Sequence, residues 1–291
     1  MQETELILNA DGSIYHLNLL PGELASKLIL VGDPDRVERV GAFLEEVEFK
    51  KHKREFYTIT GSYQGERISV LSTGIGTDNI DVVWHEIDAL FNIDFESRRV
   101  KDDLQSIQVL RLGTCGGMQE EVPVGTLVAS AWAVGGDGLM SYYDYPVYDF
   151  ALQNALDQFW DDLRGALPLY HAPADTQLLK ILESEFPQIV QGGTFTAGGF
   201  YGPQGRSLGR LSVRLPFLTE EIARFRYGER CFLNMEMEAA AIMALGKALG
   251  HRCGTLAVIL ANRAAGAFAQ DPKADEQKLI RTGLEVLRKW N

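Results

Sequence analysis

The 291-residue chain predicts a single α/β domain spanning residues 1–291. Three observations predict it. Short, nearly continuous apolar runs, such as Lys27-Leu-Ile-Leu-Val-Gly32 and Thr255 to Ala261, read as strands covered on both faces. Segments with helical spacing of apolar residues alternate with these runs along most of the chain. No internal repeat, low-complexity tract or linker-like stretch divides it.

Taken in order, the strand ending near Gly32 is followed by a hairpin, with Phe56 to Tyr63 and Arg67 to Ser72 flanking the turn Gln64-Gly65. Asn79 to Phe91 predicts a helix, because Ile80, Val83, Trp84, Ile87, Leu90 and Phe91 share one side. The charged stretch Asn92 to Gln105 reads as a surface excursion before strands over Ile107 to Leu112 and Thr126 to Val134. Helices are expected over Tyr148 to Arg164, stopped by Gly165, and over Asp175 to Phe186. Thr219 to Arg226 is a further helix, and Met237 to Leu249 an Ala-rich one ended by Gly250. Glu276 to Trp290 closes the chain as a helix carrying Leu279, Ile280, Leu284 and Leu287 at helical spacing.

A formal net charge of −12 argues against a nucleic-acid partner, which needs a basic surface to meet phosphates. An acidic chain that binds a small anion must focus a few arginines in one pocket. Cys115, Cys231 and Cys253 are odd in number and far apart, so they form neither a disulfide framework nor a paired metal motif. The stretch Met1 to Gly12 lacks a basic and then apolar leader pattern, and the apolar runs are too short to span a bilayer. A soluble cytoplasmic protein without a membrane partner is expected.

Three strings imitate chemistry without its context. Gly205-Arg-Ser-Leu-Gly209 matches the nucleophile elbow of serine hydrolases, but no helix signal follows until after Pro216. Gly74-Ile-Gly76-Thr-Asp-Asn79 resembles a dinucleotide fingerprint, yet Asn79 replaces the third glycine and no acidic ribose partner follows; it reads as a tight turn with a helix cap. His85-Glu86 lacks a second histidine one turn later, and no pair among the five histidines has metal-ligand spacing.

Other segments place Arg or Glu at strand ends, often beside glycines. Gly32-Asp-Pro-Asp-Arg36 follows the first strand, combining close backbone approach, a helix-opening proline and a fork of donors. Arg111-Leu-Gly-Thr-Cys-Gly116 combines a guanidinium, a hydroxyl and turn amides, a phosphate cradle without a P-loop lysine. The carboxyl ends of parallel strands converge on a common crevice.

Together with Ser72-Thr-Gly-Ile-Gly76 and Asn234-Met-Glu-Met-Glu238, these segments resemble, in order, the signatures of the nucleoside phosphorylase family, from about Tyr15 to Arg263. The resemblance implies the nucleoside phosphorylase fold: one α/β domain around a central twisted mixed sheet, partly barrel-like, flanked by helices. It also implies a homo-oligomer, dimeric or hexameric, with each active site shared across a dimer interface. It implies reversible phosphorolysis of a nucleoside, with inorganic phosphate as co-substrate and no organic cofactor. Carried over by position, phosphate would meet Gly32, Arg36, Arg111 and Thr114, with Arg54 of Lys53-Arg54-Glu55-Phe56 supplied by a second subunit. Ribose would meet Glu238, with Glu236 assisting, Met237 and Thr114 alongside, and His16 reaching across from that subunit.

Phe200-Tyr-Gly-Pro-Gln-Gly-Arg206 looks like the loop with which uridine phosphorylases read uracil. Gln204 would face the O2/N3 edge, Arg206 the O4 side, and Phe200 would stack on the ring. Ile259-Leu-Ala-Asn-Arg263 matches the uridine-type ending and adds Arg263, whereas purine relatives place an Asp near here and this chain has none before Asp271. The implied catalytic set is Arg111, Gln204, Arg206 and Glu238. Gly205 is expected to loosen the base pocket, enough for thymidine or deoxyuridine. No metal site is expected, except that Glu55, Ile75 and Asn79 resemble the surroundings of a potassium ion in some relatives. Purine phosphorolysis, hydrolytic nucleoside cleavage and non-catalytic nucleoside binding are the alternatives, all on the same fold.

Overall fold

The computed structural model describes residues 1–291. The chain opens with β1 (Lys27–Val31), α1 (Pro34–Gly41), β2 (Glu45–Lys53), β3 (Phe56–Tyr63), β4 (Glu66–Ser72) and α2 (Thr77–Asn92). A small ribbon, β5 (Ile93–Asp94) with β6 (Arg99–Val100), precedes β7 (Gln108–Gly117) and β8 (Leu127–Gly135). Then come α3 (Phe150–Asp162), β9 (Tyr170–Pro173), α4 (Thr176–Glu185), β10 (Val190–Thr196), α5 (Leu218–Arg224), β11 (Arg226–Tyr227) and β12 (Arg230–Glu236). The chain closes with α6 (Ala239–Ala248), β13 (Arg252–Asn262), β14 (Ala267–Phe268) and α7 (Pro272–Lys289).

One mixed sheet runs β11-β12-β10-β8-β13-β7-β1-β4-β3-β2. The end of β7 also pairs antiparallel with β12, Gly116 and Gly117 lying opposite Met235 and Asn234. That pairing closes β7, β13, β8, β10 and β12 into a ring, so half of the sheet is a barrel and half is open. β1, β4, β7 and β13 are mutually parallel, which brings their carboxyl ends to one edge. The β7–β12 contact brings the end of β12 to the same place. This convergence positions the site. No helix is long and apolar enough to cross a membrane.

The expected hairpin is β3–β4, with Gln64 and Gly65 both at positive φ (48° and 83°), as the right-handed strand twist favours in a two-residue turn. Several strands lay outside the sequence expectations, β2, β9 and β10 among them. β2 reads Glu-Glu-Val-Glu-Phe-Lys-Lys-His-Lys because it is a largely solvated edge strand, where charge discourages further pairing. β9 is four residues long and ends in proline. β10 hides behind Gly192 and Gly193: a Cβ there would lie 2.5 Å from Leu233 Cδ1 and 2.4 Å from Trp132 Cζ2, so close packing requires glycines that weaken any strand signal. The Asn92–Gln105 excursion is the β5–β6 ribbon, stapled at its base by Asn92, whose side chain donates to Gln105 O (3.1 Å) and accepts from Gln105 N (2.7 Å).

Helix ends also moved. α7 starts at Pro272, with Asp271 accepting from Ala274 N (3.0 Å) as the cap. α6 starts at Ala239 rather than Met237, with Glu238 as its N-cap residue in a non-helical conformation. Eight consecutive α6 residues, Ala239 to Gly246, are buried; the Ala-rich sequence lets this helix sit within the core.

Candidate active site

A cavity of about 1000 Å³ opens at the converging strand ends. Its floor is built from the turn after β1, the second half of β7 and the end of β12. Gly32 lines it directly after β1, and Arg36 enters from the first turn of α1, which Asp33 caps by accepting from Asp35 N (2.9 Å). Arg36 is buried; its Nε donates to Glu276 of α7 (2.9 Å), a carboxylate that also pairs with Arg39. Glu276 lies 240 residues from Arg36, and nothing in the sequence announces the pair.

Arg111 projects from β7 and folds back over Gly113, where a Cβ would stand 2.0 Å from Nη1. Glycine at 113 is therefore a steric requirement of the guanidinium. Nη2 donates to Glu238 Oε2 (2.5 Å) and lies 3.1 Å from Glu236 Oε2, while Nη1 is buried without any hydrogen-bond partner. Burial pulls the guanidinium pKa down, but the two carboxylates outweigh it and hold the pKa above its ordinary value. A buried donor with no acceptor is costly and suits an incoming anion. Thr114 lines the same wall, half-buried.

Both glutamates reach Arg111, as extended alternation predicts, but their duties differ. Glu236 Oε1 accepts from Thr196 Oγ1 (2.6 Å), and its carboxylate accepts from Glu238 N (2.9 Å) and Ala239 N (2.9 and 3.0 Å). It caps α6, against the positive end of the helix dipole. Glu236 also lines the cavity, but Thr196, Arg111 and the backbone N–H groups occupy much of its carboxylate. Burial pushes its pKa up, with Arg111 opposing and the charge of Glu238 adding to the rise. Glu238 accepts only from Arg111 and from Gly76 N (2.8 Å), and it faces the cavity with Met237. The Ser72–Gly76 segment thus meets the β12 segment through one backbone amide. The expected side-chain cap of α2 is absent, since Gly76 is its N-cap residue.

Across the cavity, residues Gly202–Gln204 form one 3-10 turn, with Gly205 in the left-handed region (φ 66°). The Arg206 guanidinium stacks 4.0 Å from the Phe200 ring centroid and donates to Phe200 O (2.8 Å) and to Gln204 Oε1. Arg263, just past β13, donates to Gln204 O (2.9 Å). Gly205 does not line the cavity. Its missing Cβ would point at Pro216 O (3.0 Å) and Leu215 O (3.2 Å), so glycine there fits the loop against its support and does not widen the base pocket. Ser207 of the hydrolase-like string lies in irregular chain ahead of α5. Asp271, the first acid after Arg263, is spent on capping α7.

His16 and Arg54 do not line the cavity of their own chain. His16 Nδ1 sits 2.6 Å from Glu86 Oε1, and Glu86 also accepts from the amides of His16 and Leu17. That gives the His85-Glu86 pair a role: Glu86 anchors the amino-terminal segment. Arg54 is exposed on the β2–β3 turn at φ 55°. Glu55 and Asn79 meet around Gly74 at the rim, where Ile75 is exposed.

A half-barrel sheet whose strand ends carry arginines facing a carboxylate, opposite an amide-and-guanidinium loop, marks a group-transferring enzyme that handles an anion beside a hydroxyl-bearing substrate. A family model, the phosphorylase superfamily, matches residues 27–289, and the chain belongs to that superfamily. The solved structure of a Trypanosoma brucei nucleoside phosphorylase that shows uridine phosphorylase activity aligns with a TM-score of 0.87 at 30% identity, covering 97% of this chain and 99% of that one. A Thermococcus kodakarensis uridine phosphorylase is 27% identical over 97% of this chain and 89% of its own length. A purine nucleoside phosphorylase of Oceanobacillus iheyensis is 34% identical over 81% and 82%. The protein is a pentosyltransferase of the nucleoside phosphorylase type, with nucleoside and phosphate as substrates.

Proposed function

We propose that the enzyme phosphorolyses pyrimidine nucleosides, uridine first among them. The observation that carries this reading is that Phe200, Gln204, Arg206 and Arg263 line the cavity together, while Asp271, the first acid after Arg263, lies outside it and caps α7. An amide and guanidinium groups suit the carbonyl edge of uracil and the negative charge it acquires on leaving; protonating a purine nitrogen needs an acid.

In this reading phosphate enters against Gly32, Arg36, Thr114 and the unpartnered Nη1 of Arg111, with Arg54 of a second copy completing the anion site. Glu238 accepts ribose 2′- and 3′-hydroxyls, Met237 packs on the sugar, and His16 of the second copy reaches the ribose. A phosphate oxygen attacks C1′ as the glycosidic C–N bond breaks; the bond pair leaves with uracil, which takes a proton from water after release. Gln204 and Arg206 hold that developing anion, and no protein nucleophile is needed. Fixing phosphate against C1′ and preorganising donors around the leaving base supply the catalysis, a single such donor being worth about 3 kcal/mol of barrier. His16 and Arg54 lie outside the cavity of their own chain, so these two roles require a second copy. Glu55, Asn79 and the Ile75 backbone would offer a monovalent cation an all-oxygen set, as hard cations prefer.

The 34% identity to a purine enzyme favours a second reading, phosphorolysis of purine nucleosides. Release of base from uridine, thymidine and inosine, with and without phosphate, separates the two. Phosphate-dependent cleavage of uridine is expected. Equal cleavage without phosphate would overturn phosphorolysis, and turnover of inosine alone would overturn the pyrimidine assignment.

A further inference from the structure

Gln204 is only as well aimed as its backbone. Beyond the bonds of its own turn, one carbonyl ties that backbone to the rest of the fold: Gln204 O accepts from Thr219 Oγ1 (2.9 Å) and from Arg263 Nη1 (2.9 Å), and the same Nη1 donates to Thr219 Oγ1 (2.6 Å). The Thr219 hydroxyl is buried, with both its donor and its acceptor capacity in use. It joins three elements: the base loop, the first turn of α5 and the chain leaving β13. A threonine in a first helical turn ordinarily serves its own helix, but α5 has no side-chain cap, and this hydroxyl turns outward to the loop. Gly205 reinforces the docking, since its Cα face lies on the backbone of Leu215, Pro216 and Leu218. Thr219 itself does not line the cavity.

The geometry points to Thr219 as a positioning residue for nucleoside specificity, acting through the Gln204 carbonyl and Arg263. The inference rests on Gln204 reading the base. Without the hydroxyl, Gln204 O keeps one donor and Arg263 loses an acceptor. The peptide that follows Gln204 is then held only by Arg263 and by the turn bond from Gly205 N to Gly202 O (3.0 Å), a looser seat for the side chain, while Arg36, Arg111 and Glu238, on other elements, are untouched.

Thr219→Val keeps the shape and removes both hydrogen bonds. The expected result is a kcat/KM for nucleoside lowered about tenfold, the effect of one buried hydrogen bond, shared between a raised nucleoside KM and a lowered kcat, with the KM for phosphate unchanged. Thr219→Ser restores the kcat/KM for nucleoside. In a Gln204→Ala background, Thr219→Val costs clearly less than in the wild type, since one of the two groups it positions is gone. Three results each overturn the proposal: an unchanged kcat/KM for nucleoside, a parallel rise in both KM values that serine does not reverse, or additive effects of the two substitutions. The wild-type assay judges the pyrimidine reading separately. If the wild type cleaves only inosine, the same comparison run on inosine decides the role of Thr219.

Discussion

Arg111→Ala is the substitution for which the structure specifies more than lost activity. Loss of turnover alone would follow from a phosphate contact, with the fold unharmed. Arg111 is 5% exposed and is the cation for two glutamates, each also 5% exposed, at 2.5 and 3.1 Å. Removing it leaves two buried carboxylates without a counter-charge, which costs about 3–5 kcal/mol and lowers the melting temperature by on the order of 10 °C. The deficit depends on pH in a definite direction. Burial already raises the Glu236 pKa, and Arg111 is the main influence holding it down. Without Arg111 the folded-state pKa rises further. A carboxyl whose pKa is higher folded than unfolded holds its proton more tightly in the native state, so its stabilising contribution is present at acid pH and lost as pH rises through the folded value. The alanine variant is therefore expected to approach the wild type near pH 5 and to fall furthest below it near pH 8. Urea unfolding at both pH values measures this, with phosphorolysis assayed in parallel. Arg111→Lys, which keeps a charge but loses the fork, should regain most of the stability and little of the activity. A variant as stable as the wild type at pH 8, or a deficit independent of pH, would refute the claim that the guanidinium balances this carboxylate pair.

Two further outcomes follow from the same geometry. Gly113→Ala puts a Cβ 2.0 Å from Arg111 Nη1, forcing the guanidinium aside; kcat/KM should fall on the order of 100-fold at saturating nucleoside, as expected for a misplacement of about 1 Å, and wild-type kinetics with varied phosphate would contradict it. Arg54→Ala and Gln204→Ala chains, each nearly inactive alone, should regain about a quarter of wild-type activity when co-expressed, because half of the dimers pair the two and each such dimer holds one intact site; activity no greater than the sum of the separate variants would mean that sites are not shared.

The resemblance and the residues together anticipated much of this protein. Apolar runs disclosed the buried strands β1 and β13, since strands covered on both faces leave no polar alternation to obscure them. The strand-end motifs marked Gly32, Arg36, Arg111, Thr114, Glu238, Gln204 and Arg206, and these do line one cavity. Gly76 and Gly113 stood inside the quoted strings, but their duties, an amide for Glu238 and room for a guanidinium, appear only in three dimensions.

What the sequence by itself determined is which chemistries the chain carries and the strands at whose ends they sit, because period and residue type are local properties. Which carboxylate keeps fewer partners and which is a helix cap was decided by tertiary structure alone. Glu236 and Glu238 are two residues apart, chemically identical and both line the cavity; they part company because one meets the amides of α6 and Thr196 of β10, while the other meets only Arg111 and the Gly76 amide. The same holds for Arg36 and Glu276, and for Gln204, Thr219 and Arg263. These partners lie tens to hundreds of residues apart, and only closure of the sheet between β7 and β12 and the packing of helices on it brings them within hydrogen-bond distance.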